Sequence, residues 1–262
     1  MRGSRNTDTA DTEANMNDKT TGFILRQADY KERDLILTVL SQEYGRISFI
    51  AAGVKKLSSK NAGSVLPYTK AEFLFDYKEK RNMFRMKTAH TVSLYRYLHE
   101  DLKASAAAAV TADIMDLFTS HEGESTEREY RITEQAFTAL NGGKDPDLVL
   151  ALVMSDVMRI FGILPDVDEC TECGSTTAAA VSLKHGGFLC ARCAEEAGIP
   201  VSKKEDLKRF RLLCKAGMEH LEIVESHTEV RHEDTTLLLS FLETYSGLKI
   251  RSFSFYHRLF DH

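Results

Sequence analysis

Cys170 and Cys173 form one Cys-x-x-Cys knuckle and Cys190 and Cys193 a second, with sixteen residues between the two. Thiolates at this spacing on a tight turn can point at one ion, and a second turn alongside completes a tetrahedral four-sulfur shell with Zn–S near ~2.3 Å. The pattern predicts a zinc ribbon holding one structural Zn²⁺. Two disulfides or four reduced thiols are the alternatives. The N-terminal residues contain no apolar run of the kind that directs secretion, so a reducing cytoplasm is expected, where disulfides are rare. A catalytic zinc keeps one position open for water, whereas four Cys ligands close the shell. The zinc deaminase pattern, a His-x-Glu upstream of a Pro-Cys-x-x-Cys, is also missing. Cys214 lies outside the pattern, at an apolar position of a predicted helix, and reads as a small core residue.

The chain has 262 residues, room for two or three domains at ~100–200 residues each. No stretch reaches the ~18 consecutive apolar residues of a membrane span, so a soluble protein is expected. The formal net charge of −5 hides an asymmetry. Gly22 to Leu98 holds 14 Lys and Arg against 7 Asp and Glu, a net of +7, whereas His99 to His262 holds 17 against 28, a net of −11. A basic N-terminal part joined to an acidic remainder points to a polyanion surface on one part only, with a merely solvated set of charges as the plain alternative.

Met1 to Thr21 has too few large apolar residues to fold and reads as a disordered extension. Gly22 to about Leu94 reads as β, within a domain spanning 22–98, with strands expected at Gly22–Arg26, Asp34–Leu40, Gly45–Ala51, Ala71–Lys78 and Asn82–Thr88. Ala71, Phe73, Phe75 and Tyr77 should share one face. Five short strands in this length suggest a small antiparallel barrel of the five-stranded OB type, with a β-sandwich or SH3-like barrel as competitor. From His99 to His262 the texture turns helical, with helices expected at Asp101–Ser120, Thr126–Leu140, Asp147–Phe161, Lys203–Glu222 and Glu233–Tyr245 and a zinc-binding insertion at about 166–200. Leu248–Phe260 could be helical or extended. The fold class expected is α+β: an OB-type barrel followed by a helical domain carrying a four-cysteine zinc ribbon.

Between the third and fourth strands runs Gly53-Val-Lys-Lys-Leu-Ser-Ser-Lys-Asn-Ala-Gly63, with three lysines and no acid. With Arg46 on the preceding strand it is expected to gather positive charge near one end of the barrel, and flexible lysines suit phosphates. Tyr44, Phe49 and Tyr68 could stack bases if exposed, although aromatic residues in strands usually lie in the core. No phosphate-binding Gly-Lys-Ser/Thr loop, dinucleotide Gly-x-Gly-x-x-Gly, His-Glu-x-x-His or Gly-x-Ser-x-Gly occurs, and the nine histidines are not paired at ligand spacing. The chain therefore reads as a binding module with no catalytic residues, not as an enzyme. A nucleic-acid-binding zinc ribbon of a transcription or translation factor is a rival, but the segment from Asp166 to Glu196 is acidic. An enzyme whose catalytic groups follow no familiar motif is the other.

Tyr30 to Arg46, Ala52-Gly-Val-Lys-Lys56 and Leu66-Pro-Tyr-Thr69 together resemble the N-terminal domain of the RecO family of bacterial recombination mediators. Arg159-Ile-Phe-Gly-Ile-Leu-Pro165, the Cys-x-x-Cys-Gly knuckle and Gly186-Gly-Phe-Leu-Cys-Ala-Arg-Cys193 extend the resemblance, which spans about Gly22 to Phe260. It implies an OB barrel and a zinc-bearing helical domain in a cytoplasmic, nucleoid-associated DNA repair protein of the RecFOR pathway. It also implies binding of single- and double-stranded DNA, annealing of complementary strands, and loading of RecA with RecR onto strands coated by the single-strand-binding protein SSB, whose C-terminal tail the family contacts. No nucleotide hydrolysis is implied. Arg46, Lys55, Lys56 and Lys60 match the family's basic barrel positions. The chain departs from that pattern at Ser48 and Ala52, where basic residues are usual, which shifts the expected DNA contacts toward Lys55, Lys56, Lys80 and Arg81.

Overall fold

A computed structural model describes residues 18–78, 81, 83–119 and 126–260. Strands β1 (Asp18–Tyr30), β2 (Asp34–Ser41), β3 (Gly45–Ala51), β4 (Lys70–Phe75) and β5 (Met83–Ser93) come first. Alternation sends one side chain in two inward, and Ile24, Leu37, Val39, Ile47, Phe49, Phe73, Phe75, Phe84 and Met86 meet in a single buried cluster. The sheet closes in the order β1-β2-β3-β5-β4, with β4 returning to β1 and β3 running parallel to β5. This is the five-stranded OB-type barrel that the spacing of the strands suggested.

β1 begins at Asp18, ahead of the expected Gly22, because it serves two neighbours. Its first half pairs with β4, from Asp18 opposite Phe75 to Phe23 opposite Lys70, and its second half pairs with β2 down to Tyr30 opposite Asp34. Asp18 to Thr21 therefore belong to the barrel and not to an extension. Ala71, Phe73 and Phe75 point inward as expected, but β4 stops at Phe75 and leaves Tyr77 exposed.

The helical part comprises α1 (Tyr97–Glu100), α2 (Leu102–Phe118), α3 (Glu127–Asn141), α4 (Pro146–Ile160), α5 (Ala191–Glu196), α6 (Lys204–Lys215), α7 (Leu221–His227), α8 (His232–Ser246) and α9 (Phe253–Arg258). A two-stranded sheet of β6 (Ala180–Ser182) and β7 (Gly187–Leu189) precedes α5. α4 is the axis of this part. Its sequence is apolar on nearly every side, Leu148 to Met154 are all buried, and it contacts α2, α3, α6, α7 and α8. A helix apolar all round is stable only when surrounded. Pro146 at its first turn and the Asp145 carboxylate, which accepts the Asp147 N–H at 2.9 Å, fix where it starts.

The single helix expected over Lys203–Glu222 is broken after Lys215. The Asp156 carboxylate of α4 accepts the Met218 N–H at 2.8 Å, and a Cβ at Gly217 would lie 2.2 Å from its Oδ1. Gly217 is thus the one residue that lets the chain pass this carboxylate, and α7 starts in a new direction. Leu248–Phe260 resolves into an extended piece followed by α9.

Barrel and helices share a core. Phe23, Leu25 and Leu40 face outward from β1 and β2 and join the main cluster of the helical part. The Phe23 ring lies 4.8 Å from that of Tyr130 and 5.7 Å from that of Phe137. Lys70 closes the contact: its ammonium sits 5.4 Å from the Phe23 ring and 2.5 Å from a Glu134 carboxylate oxygen. Burial works against the charge of Lys70, yet Glu134 and the polar edge of Tyr130 hold its pKa above the ordinary lysine value.

Phe23→Ala is expected to lower the unfolding free energy by about 3–5 kcal/mol, because it empties a fully buried site walled by three other rings. Urea unfolding monitored by circular dichroism measures it; a loss under ~1 kcal/mol would mean that the two parts do not depend on this contact.

Candidate nucleic-acid interface and metal centre

The β1–β2 turn and the loop after β3 lie at the same end of the barrel and are tied together. The Asp34 carboxylate accepts the Gly53 N–H at 2.8 Å, and the Arg33 carbonyl accepts the Lys55 N–H at 3.2 Å. These bonds bring Lys31, Arg33, Lys56 and Arg85 around one open cleft of about 620 Å³, which Glu32, Asp34, Ala52 and Gly53 also line. Arg85 reaches it because β5 runs parallel to β3 with Arg85 opposite Ile50, and its neighbours Phe84 and Met86 point into the barrel.

Lys31, Arg33 and Arg85 were not singled out in the sequence. Arg85 carried a readable signal, since Arg85 and Lys87 alternate with the apolar Phe84 and Met86. The parallel pairing that puts Arg85 beside the lysine loop was not readable. Lys55, Lys56 and Lys60 are exposed on that loop, and Lys55 is shared with Asp29 at 2.9 Å. Arg81 is exposed between β4 and β5, and Lys80 lies outside the described residues.

Arg46 is used differently from expectation. Its Nε bonds the carboxylate of Asp116 on α2, and both side chains are largely covered. Arg46 sits opposite Leu40, on the part of the barrel surface that the helices cap, so it fastens the two parts instead of joining the basic cleft. The aromatic residues are likewise committed to packing. Phe49 is fully buried within the barrel, Tyr68 packs on Phe137, and Tyr44 packs between Phe75 and Tyr77.

The four knuckle cysteines converge, with all four Sγ atoms within 4.8 Å of one another. Two backbone devices achieve this. The first knuckle folds back through Gly174, whose N–H bonds the Cys170 carbonyl at 2.8 Å, and the second rises from β7 into α5 with Cys190 just before the helix. Gly187 lets β7 pass Asp166, because a Cβ there would lie 2.1 Å from the Asp166 carbonyl oxygen, which accepts the Phe188 N–H at 2.8 Å.

The donor set fits a tetrahedral metal ion. Bonds of ~2.3 Å in a tetrahedron place sulfurs roughly 3.8 Å apart, and Cys173 Sγ lies 3.7 Å from Cys190 Sγ. The surroundings push the thiols in opposite directions. Burial raises Cys170, but backbone hydrogen bonds from Cys190, Glu172 and Cys173 outweigh it and leave its pKa below the thiol norm. Cys193 is pushed up, first by its bond with Cys190 and then by burial. A dication would give all four sulfurs a common counter-charge.

The family models match both parts of the chain. "Recombination protein O N terminal" covers residues 16–95 and "Recombination protein O C terminal" covers residues 99–253. The chain belongs to the RecO family. It is 30% identical to the DNA repair protein RecO of Exiguobacterium sibiricum over 239 residues, covering 90% of this chain and 95% of that one. With the RecO of Bacillus subtilis it shares 28% over 237 residues, 89% of this chain and 91% of the other. With that of Listeria monocytogenes it shares 25% over 240 residues, 91% and 93%. RecO membership places the chain in DNA repair by recombination. The boundary between the two matched models, 95 to 99, coincides with the step from β5 to α1. Among the described residues no helix is long and apolar enough to cross a membrane.

Cys214, by contrast with the knuckles, is fully buried in the helical core of this RecO chain, and burial pushes its thiol up to about 12. Alkylation with iodoacetamide at pH 8 followed by mass mapping should leave Cys214 unmodified until the chain unfolds, since the thiolate is the reacting form. Rapid labelling of Cys214 in the folded protein would contradict this burial.

Proposed function

We propose that this RecO-family chain binds single- and double-stranded DNA at the basic cleft of its barrel and anneals complementary strands. In this reading it works with RecR to place RecA on SSB-coated single strands, touching the SSB C-terminal tail, in the bacterial cytoplasm and at the nucleoid. It does so without catalytic turnover. The observation that carries the reading is the convergence of Lys31, Arg33, Lys56 and Arg85 on one cleft from three separate chain segments. Isolated surface cations are ordinary, but four gathered around an open groove match the repeating charge of a nucleic-acid backbone.

The mechanism follows from charge neutralisation. Two strands repel through their phosphates, and cations that release bound counterions lower that cost for either strand without reading its bases. Lys55 and Lys60 extend the positive field along the loop, and Lys80 and Arg81 are proposed as further contacts on the strength of the sequence alone. Glu32 and Asp34 temper it, and Asp34 is already occupied with the Gly53 N–H. The acidic helical part would repel DNA and thereby confine strands to the barrel.

Cys170, Cys173, Cys190 and Cys193 are proposed to hold one structural Zn²⁺, which would lock the two knuckles and supply no reaction chemistry. The knuckle region is stitched to the helices. Asp168 accepts from Arg211 and Lys215 of α6, the Phe188 ring lies 6.1 Å from that of Phe210, and the Tyr245 hydroxyl donates to the Leu183 carbonyl at 2.8 Å. Loss of metal should therefore loosen α6 and α8 first.

Complementary oligonucleotides precoated with SSB should anneal faster as the protein is added, without ATP, and more slowly as salt rises. Lys56→Glu with Arg85→Glu should abolish this and flatten the dependence of log affinity on log salt by about 1.4 on single strands, at ~0.7 per lost phosphate contact. An unchanged slope would remove these two residues from the interface. Zinc analysis should find one ion per chain. Chelation at pH 6, where protons compete for sulfur, should release it and lower the melting temperature; a metal-free protein that melts as before would contradict a structural role.

A further inference from the structure

We infer that Leu57 is a wedge that contacts unstacked bases beside the basic cleft. This rests on the proposed DNA-binding reading and adds a residue that meets bases instead of phosphates. Leu57 is 110% exposed, more open than the same residue in an extended peptide, and the next most exposed large apolar side chain among the described residues, Val201, reaches 68%. Its position is built by the backbone. The Gly53 carbonyl accepts the Lys56 N–H at 3.1 Å and the Lys56 carbonyl accepts the Ser59 N–H at 2.9 Å, so Leu57 and Ser58 are the central residues of the second of two consecutive turns. Val54 and Val65, each buried in the barrel, pin the loop on either side.

The surroundings of Leu57 select its partner. Lys56, the preceding residue, lines the cleft with Lys31, Arg33 and Arg85, while Lys55 and Lys60 flank the tip and the loop from Gly53 to Gly63 holds no acid. A strand whose phosphates follow these cations would bring its bases to the one apolar group at the tip. The aromatic side chains that could have stacked bases, Tyr44, Phe49 and Tyr68, are occupied with other rings. Leucine is among the side chains that proteins insert between base steps, holding them unstacked.

The chain contains no tryptophan, so Leu57→Trp introduces a single reporter at the tip. Its emission should be quenched by oligo(dT), because an indole stacked on a base is quenched. Leu57→Ala should bind single strands roughly tenfold more weakly with an unchanged salt slope, and anneal more slowly. Both variants alter an exposed loop tip, and matching melting temperatures would verify that they fold. If Leu57→Ala binds and anneals like the unaltered protein and Leu57→Trp is not quenched, the wedge is wrong while the cleft stands. If the unaltered protein binds no oligonucleotide at low salt, the DNA-binding reading fails and the wedge falls with it.

Discussion

The contact of Phe23 with Tyr130 and Phe137 decides how this molecule is arranged. A five-stranded barrel has an outer surface that water can cover, and nothing in its own closure requires a partner. The outward Phe23, Leu25 and Leu40 break that neutrality, because three large apolar side chains on adjacent strands must be covered. Covering them with the helical part consumes the β1–β2 side of the barrel, and the ion pairs Arg46–Asp116 and Lys70–Glu134 fix the orientation at its margins. The far end, where the β1–β2 turn meets the loop after β3, is left open as a direct consequence.

Charge then follows geometry. On the capped side Arg46 and Lys70 are paired with acids of the helices, whereas Lys31, Arg33, Lys56 and Arg85 are gathered around the cleft at the open end. The net of +7 over Gly22 to Leu98 therefore understates the contrast between the two faces. Pairing removes charge where DNA could not reach. At the open end, exposed lysines are hydrated, and the affinity of the proposed DNA site would be governed by counterion release and so be tunable by salt.

Much of this was legible in the residues. The strand count came from alternation and turn chemistry, and the helix expected over Asp147–Phe161 from the spacing of its apolar residues; both depend on neighbours in sequence. The cysteine cluster was legible because ligand spacing is a local code. What failed depended on pairing across the chain. The fate of Arg46 turns on Asp116, seventy residues later. Arg85 reaches the cleft only through the parallel pairing of β5 with β3, which no period in either strand announces. The break after Lys215 comes from the Asp156 carboxylate beside Gly217, a contact across helices that helical periodicity cannot encode.

The cysteine cluster has a small buried core of its own, while its neighbours Val167 and Phe188 join the core of the helical part. Its own buried cluster is small, made of Cys170, Ala180, Leu189, Cys190, Cys193 and Ala194, too little apolar surface to order the intervening loops alone. Four sulfurs around one dication would supply what that cluster lacks, since the binding energy of such a site is folding energy. That order would be passed on through Val167 and Phe188, which join the helical core, and through Asp168 between Arg211 and Lys215. Those contacts brace α6 just before the Gly217 break, where the helix has no continuation of its own to hold it. The cysteine cluster, with its proposed metal, and the break would therefore be two parts of one constraint on how α6 crosses α4.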